Sequence, residues 1–183
     1  LTMPDISPDG KTIVCVRNDG GSSSLVTLQM DQIDGPTFKA TKKRARKKLP
    51  FLSYAQLSVD SYGSQYYQPR WHPDGESVVV ARGEFHGRDL ISLNFPSAEQ
   101  SVLLASEFDE RYPFYSDDGK YLYYSQDKTG IFNVYRMQLA GGDVKALTNV
   151  IGCAFMPAIS GDTLYYSDFE DRGFRLNELA NFE

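Results

Sequence analysis

The chain has 183 residues, of which 41% are apolar and 13% aromatic, enough to bury a core and to exclude a disordered tail. Its 19 basic and 24 acidic residues give a net charge of −5, but seven of the basic residues fall between Lys39 and Lys48, and the other 12 basic and 24 acidic residues sum to −12. An acidic body argues against nucleic acid as a partner, and no apolar run approaches the roughly 18–20 residues that span a bilayer.

The first recognisable element is Pro4-Asp5-Ile6-Ser7-Pro8-Asp9-Gly10, a turn followed by the apolar run Ile13-Val14-Cys15-Val16. Pro presets φ, Asp bonds its own backbone, and Gly accepts the left-handed conformation that closes a tight turn. Cys15 sits in that predicted strand, where a free thiol behaves as a small hydrophobe, and a disulfide to the distant Cys153 is not expected. The basic stretch follows, with Lys42, Lys43, Arg44, Arg46 and Lys47 at its centre. Blocks of like charge read as solvated loops, and such a loop could dock on an acidic partner or an anionic surface. The tyrosines Tyr54, Tyr62, Tyr66 and Tyr67 come next and mark a candidate partner-binding strip, since aromatic side chains dominate binding hot spots.

From there the chain repeats itself. Gln68-Pro69-Arg70-Trp71-His72-Pro73-Asp74-Gly75 recurs 44 positions later as Tyr112-Pro113-Phe114-Tyr115-Ser116-Asp117-Asp118-Gly119. An eroded copy, Pro157-Ala158-Ile159-Ser160-Gly161-Asp162, begins another 44 residues on and is two residues shorter around its turn. The first two copies are 65 residues apart, so about 21 extra residues separate them, and these include the basic stretch. In the clearest copy, predicted strands cover Tyr112–Tyr115, Tyr121–Ser125, Ile131–Met137 and Val144–Leu147.

Runs such as Val78-Val79-Val80 and Tyr121-Leu122-Tyr123-Tyr124 do not alternate with polar residues, as strands covered on both faces should not. Four short strands per 40–45 residues are the expected mark of propeller blades. We therefore expect an all-β fold, a partial β-propeller of about four blades. Each blade is a four-stranded antiparallel sheet, and the terminal blades are incomplete. The repeat units fall near 1–67 (basic insertion 31–66), 68–110, 111–154 and 155–183. Because a propeller closes with about 4–8 blades, further blades of the same chain are expected outside this segment.

The motif Pro-x-Trp-x-Pro-Asp-Gly before an apolar strand, at Pro69–Val80, resembles the WD-like repeat of TolB-type β-propellers. The stretch from Arg111 to Thr148, with Gly141-Gly142 and a Leu147-Thr148 finish, resembles a whole blade. The same repeat resembles the propeller domain of prolyl-oligopeptidase-type serine peptidases. The resemblance to TolB implies a non-catalytic scaffold for a protein or peptide ligand in the bacterial envelope, in a periplasmic or otherwise extracytoplasmic location. The resemblance to the peptidases implies a substrate-gating domain whose hydrolase lies elsewhere.

The residues themselves offer little chemistry. Neither Gly21-Ser22-Ser23-Ser24 nor Tyr62-Gly63-Ser64-Gln65 forms the Gly-x-Ser-x-Gly element of a hydrolase. His72 lies beside Trp71 in a turn approach and His86 in a polar hairpin tip, and neither has a carboxylate and nucleophile in sequence reach. Asp9, Asp74 and Asp118 each precede Gly10, Gly75 or Gly119 in equivalent turns, which explains them structurally. Asp168, Glu170 and Asp171 read as a solvated hairpin tip, since calcium loops need a different ligand spacing. No catalytic residue, metal ligand or cofactor is expected.

Overall fold

The computed structural model describes residues 1–30, 55–58, 63, 65–83 and 87–182. It contains four antiparallel sheets, each wound in chain order. The first holds β1 (Thr2–Ile6), β2 (Thr12–Asp19), β3 (Ser22–Gln29) and β4 (Ala55–Gln56). The second holds β5 (Tyr66–Trp71), β6 (Ser77–Gly83), β7 (Arg88–Asn94) and β8 (Gln100–Leu104). The third holds β9 (Glu110–Tyr115), β10 (Tyr121–Gln126), β11 (Asn133–Gln138) and β12 (Val144–Ala146), and the fourth β13 (Cys153–Ser160), β14 (Thr163–Glu170) and β15 (Gly173–Ala180). The expected partial propeller is therefore present, with a two-residue fourth strand in the first blade and three strands in the last.

The apolar runs are continuous because each sheet is covered by the next. Val78 and Val80 face the first blade, where they meet Val14, Val16 and Leu25; Val79 and Ala81 point the other way, onto Leu122 and Tyr124 of the third. Tyr123 and Val134 continue the series onto Ala154 and Leu164 of the fourth. Trp71 lies buried in the layer between the first two blades, its ring edge-on to Phe95 at 5.1 Å.

On the fourth blade the same series runs out. Leu176 pairs across from Ser167, and Phe174 across from Phe169, so these side chains lie on the sheet face opposite Leu164, which packs on the third blade. Phe169 is 46% exposed, Phe174 61% and Leu176 78%.

The turns follow the sequence rule closely. In the first copy the Gly10 N–H donates to the Ser7 carbonyl (2.8 Å), while Asp9 Oδ1 accepts from Ser7 Oγ (2.6 Å) and the Lys11 N–H (3.0 Å). Ser116, Asp118 and Lys120 repeat the arrangement, and the Ser116 hydroxyl with its backbone and ammonium partners holds the Asp118 carboxyl down at about 2. In the fourth copy the two missing residues leave Ser160 paired directly with Thr163 across Gly161-Asp162, a two-residue hairpin with φ 58° at the glycine.

Both cysteines are free; Cys15 is buried, and desolvation raises its thiol pKa.

Candidate functional site

The first strands of the four blades, β1, β5, β9 and β13, lie side by side and line a common cleft of about 500 Å³. The same repeat position opens it in every blade. Met3, Gln68, Tyr112 and Met156 each precede a proline, and each has a left-handed φ (52°, 50°, 55° and 54°). Steric conflict with the proline ring disfavours the helical regions for such a residue, and a non-glycine side chain adds its own cost there. Each of these residues sits where its strand slips register against the second strand of the blade, so two residues oppose one. Four copies of a strained bulge around one cleft place backbone strain where a ligand would sit, which is where such strain is usually retained.

Contacts between blades hold these bulges. The Gln68 N–H donates to Met3 Sδ (3.2 Å), and the Tyr112 N–H donates to Gln68 Oε1 (3.3 Å), so one blade's side chain caps the next blade's bulge. Two positions further along, Asp5 accepts from Arg70 Nη1 (3.1 Å) through one oxygen and from the Trp71 N–H (2.7 Å) through the other. The Tyr112 ring meets Phe155 edge-on at 5.7 Å. The walls are otherwise apolar, formed by Pro4, Pro69, Pro113, Pro157, Phe114 and Ala158.

A second, more polar cleft of about 440 Å³ lies where the second and third blades meet, lined by Tyr67, Arg88, Asp109 and Arg111. Asp109 accepts from both arginines, which in turn rest on aromatic faces, Arg88 4.2 Å above Tyr67 and Arg111 4.6 Å above Phe132. Next to Asp109, Glu110 is fully buried; its Oε1 accepts from Ser106 Oγ and from Gln126 Nε2 (2.7 Å), while Oε2 has no partner among the described residues. Desolvation pushes the Glu110 carboxyl up to about 7, aided by Asp89 and Asp109 and opposed by the Ser106 and Gln126 bonds.

The residues singled out in the sequence fall in several places. Tyr66 is buried in the core layer between the first two blades, and Tyr67 is half-buried at the polar cleft. Burial removes Tyr66 from any contact surface. Tyr54, Tyr62, Lys42, Lys43, Arg44, Arg46 and Lys47 lie outside the described residues, as does His86. Pro8 and Gly75 meet across the first two blades, where a Cβ on Gly75 would lie 3.8 Å from Pro8 Cδ. Pro73 and Asp74 complete the second turn, in which Asp74 Oδ1 accepts from the Glu76 N–H (2.8 Å).

His72, expected as a structural neighbour of Trp71, does more. Its Nε2 lies 3.2 Å from the Gly119 carbonyl of the next blade and its Nδ1 2.8 Å from Asp74 Oδ1, with the ring edge-on to Tyr115 at 4.7 Å. It is a clamp between blades.

The acidic trio near the end separates. Glu170 pairs with Arg175 (2.8 Å) and Asp171 stays exposed, but Asp168 is buried and accepts from Asn177 Nδ2 (3.0 Å). The expectation of a solvated tip fails for Asp168 because its strand position faces the third blade. Among the described residues no group of His, Cys, Asp and Glu is placed to hold a metal ion.

No family model matches the chain. An uncharacterised protein of Agrobacterium fabrum is 27% identical over 168 residues, covering 90% of the chain and 50% of that relative. Among solved structures, a protein assigned provisionally as TolB from Agrobacterium tumefaciens matches 97% of the chain and 60% of its own length, at 20% identity and a TM-score of 0.74. TolB from Acinetobacter baumannii matches 98% and 40% at 17% identity and TM-score 0.71, and puromycin hydrolase 97% and 26% at 16% identity and TM-score 0.71. The chain thus spans about half the length of the curated relative it matches.

Proposed function

We propose that this segment, whose fold is that of the TolB-type propellers, is a rigid non-catalytic scaffold that binds a protein or peptide in the cleft between its first strands. The observation that carries the reading is the fourfold repetition of a strained residue before proline, at Met3, Gln68, Tyr112 and Met156, around one largely apolar cleft. Stiff stacked blades hold such a surface open without a moving part, and an apolar concavity with few polar groups is the usual form of a binding site. Likeness to TolB supports an extracytoplasmic location in the cell envelope. The exposed apolar face of the fourth blade, with Phe174 and Leu176, supports a further blade of the full polypeptide stacking there. The basic stretch around Lys42–Lys47 and the tyrosines Tyr54 and Tyr62 form a secondary contact with an acidic partner.

The likeness to puromycin hydrolase, at the same TM-score as one TolB, favours a second reading. In it the same cleft admits substrate to a hydrolase domain. A Gly-x-Ser-x-Gly element in the full reading frame selects that reading, and its absence selects the scaffold.

The scaffold reading is tested by selecting random displayed peptides on the full polypeptide and measuring the winners against a Tyr112→Ala/Met156→Ala variant. Selected peptides lose at least about 10-fold in affinity if the cleft binds them. Equal affinity for both proteins overturns the assignment.

A further inference from the structure

The cleft has one feature that an apolar groove does not need. The residues two positions after the strained one are Asp5, Arg70, Phe114 and Ala158, and of these equivalents only Arg70 brings a charge into the cleft lining. Its side chain is 44% exposed, and the one hydrogen bond it makes among the described residues, from Nη1 to Asp5 Oδ1, leaves most of its five donors unspent there. Asp5 is itself fixed, because its second oxygen is held by the Trp71 N–H. The pairing therefore orients the guanidinium and does not consume it. A loose surface arginine would have to be ordered on binding; this one is already placed.

From this we infer that the cleft is selective for peptide segments in which a carboxylate, lodged on Arg70, stands next to an apolar or aromatic side chain lodged against Tyr112, Phe114 and Met156. This deepens the proposed function and rests on the cleft being the binding site. A carboxylate beside an apolar wall gains from the planar guanidinium, which offers two parallel N–H donors. The rest of the lining among the described residues, prolines, methionines, aromatic rings, Gln68 and Ala158, gives a phosphodiester chain no second cation, and the acidic body repels polyanions. Because Asp5 already balances the charge of Arg70, the selectivity comes from unspent donors and is moderate in size.

The test uses the full polypeptide and doubly capped peptides Gly-Gly-Phe-Asp-Gly-Gly, with Asn or Lys replacing the Asp and Gly replacing the Phe. Binding is read from the backbone amide shifts of Gln68 and Tyr112. The Asp peptide binds about 10-fold more tightly than the Asn peptide, and the Phe-to-Gly peptide more weakly than either. Arg70→Gln erases the Asp preference, lowering affinity for the Asp peptide far more than for the Asn peptide. Asp5→Asn, which keeps an acceptor for the Trp71 N–H, raises affinity for the Asp peptide about threefold, a gain that a misfolded variant cannot give. Equal binding of the Asp and Asn peptides, or an Asp preference that survives Arg70→Gln, overturns the inference while leaving the cleft as the site. If none of the peptides moves Gln68 or Tyr112, the proposed function falls together with it.

Discussion

Replacing Glu110 by glutamine converts the buried carboxyl between the second and third blades into a test of inter-blade electrostatics. The ordinary carboxyl value of 4.5 applies when the chain is unfolded, against about 7 when it is folded. That difference corresponds to about 3 kcal/mol of folding stability, fully present below pH about 4.5 and lost as the pH rises through about 7. The loss is complete near pH 8–9, when the folded protein must hold an anion beside Asp89 and Asp109 with one oxygen unpartnered.

Glutamine is neutral throughout, and its carbonyl can accept from Ser106 and Gln126 as Oε1 does. Its amide occupies the place of the unpartnered oxygen, at a cost of about 1 kcal/mol. The variant is thus about 1 kcal/mol less stable than the wild type at pH about 3.5, nearly equal to it around pH 5, and about 2 kcal/mol more stable at pH about 8.5. Urea unfolding at half-unit pH steps, followed by the fluorescence of Trp71, the single tryptophan, measures both proteins. Other titrating groups cancel in the difference. Parallel stability curves from pH 5 to 9 would refute the reasoning.

Three further outcomes are expected. Trp71→Ala costs about 3–5 kcal/mol in urea unfolding, as for a large ring removed from a packed core; Trp71→Phe costs much less, because the indole N–H has no acceptor among the described residues. Gly119→Ala costs about 2–3 kcal/mol, since φ is +68° and the new Cβ would lie 2.7 Å from the His72 ring, and the cost falls by at least about 1 kcal/mol in a His72→Ser background. Neutralising Lys42, Lys43, Arg44 and Lys47 leaves the melting temperature nearly unchanged but weakens salt-sensitive binding to acidic proteins, and a large drop in melting temperature would make that stretch structural.

The blades were legible because their signals are carried by side-chain type. Asp9, Asp74 and Asp118 recur with their glycines, and Val79, Tyr123 and Tyr165 recur as apolar, so a single pass along the chain aligns them. The cleft was not, because what its four corners share is a backbone conformation. Met3, Gln68, Tyr112 and Met156 have almost nothing in common as side chains. The prolines that follow them at fixed spacing are the signal that could have pointed there. Arg70 meets Asp5 across 65 residues, a pairing that appears only once equivalent positions are set side by side. Nothing in the sequence marks Glu110, next to Asp109, as buried, because its burial is a property of the neighbouring blade that covers it. Asp168 shows the same failure, since a polar residue near a predicted hairpin gives no hint of which sheet face it occupies.

The prolines bordering the cleft also decide how anything can be held there. The inner border of each blade is a strand edge, and an edge with a regular row of free amides invites an incoming chain to zip on as another strand. Pro4, Pro69, Pro113 and Pro157 each remove an amide from that row, and the bulge beside each breaks its spacing. A chain entering the cleft would therefore be gripped by its side chains rather than by its main chain. The same interruption would keep stray extended polypeptide from pairing onto the inner edges of the stacked blades.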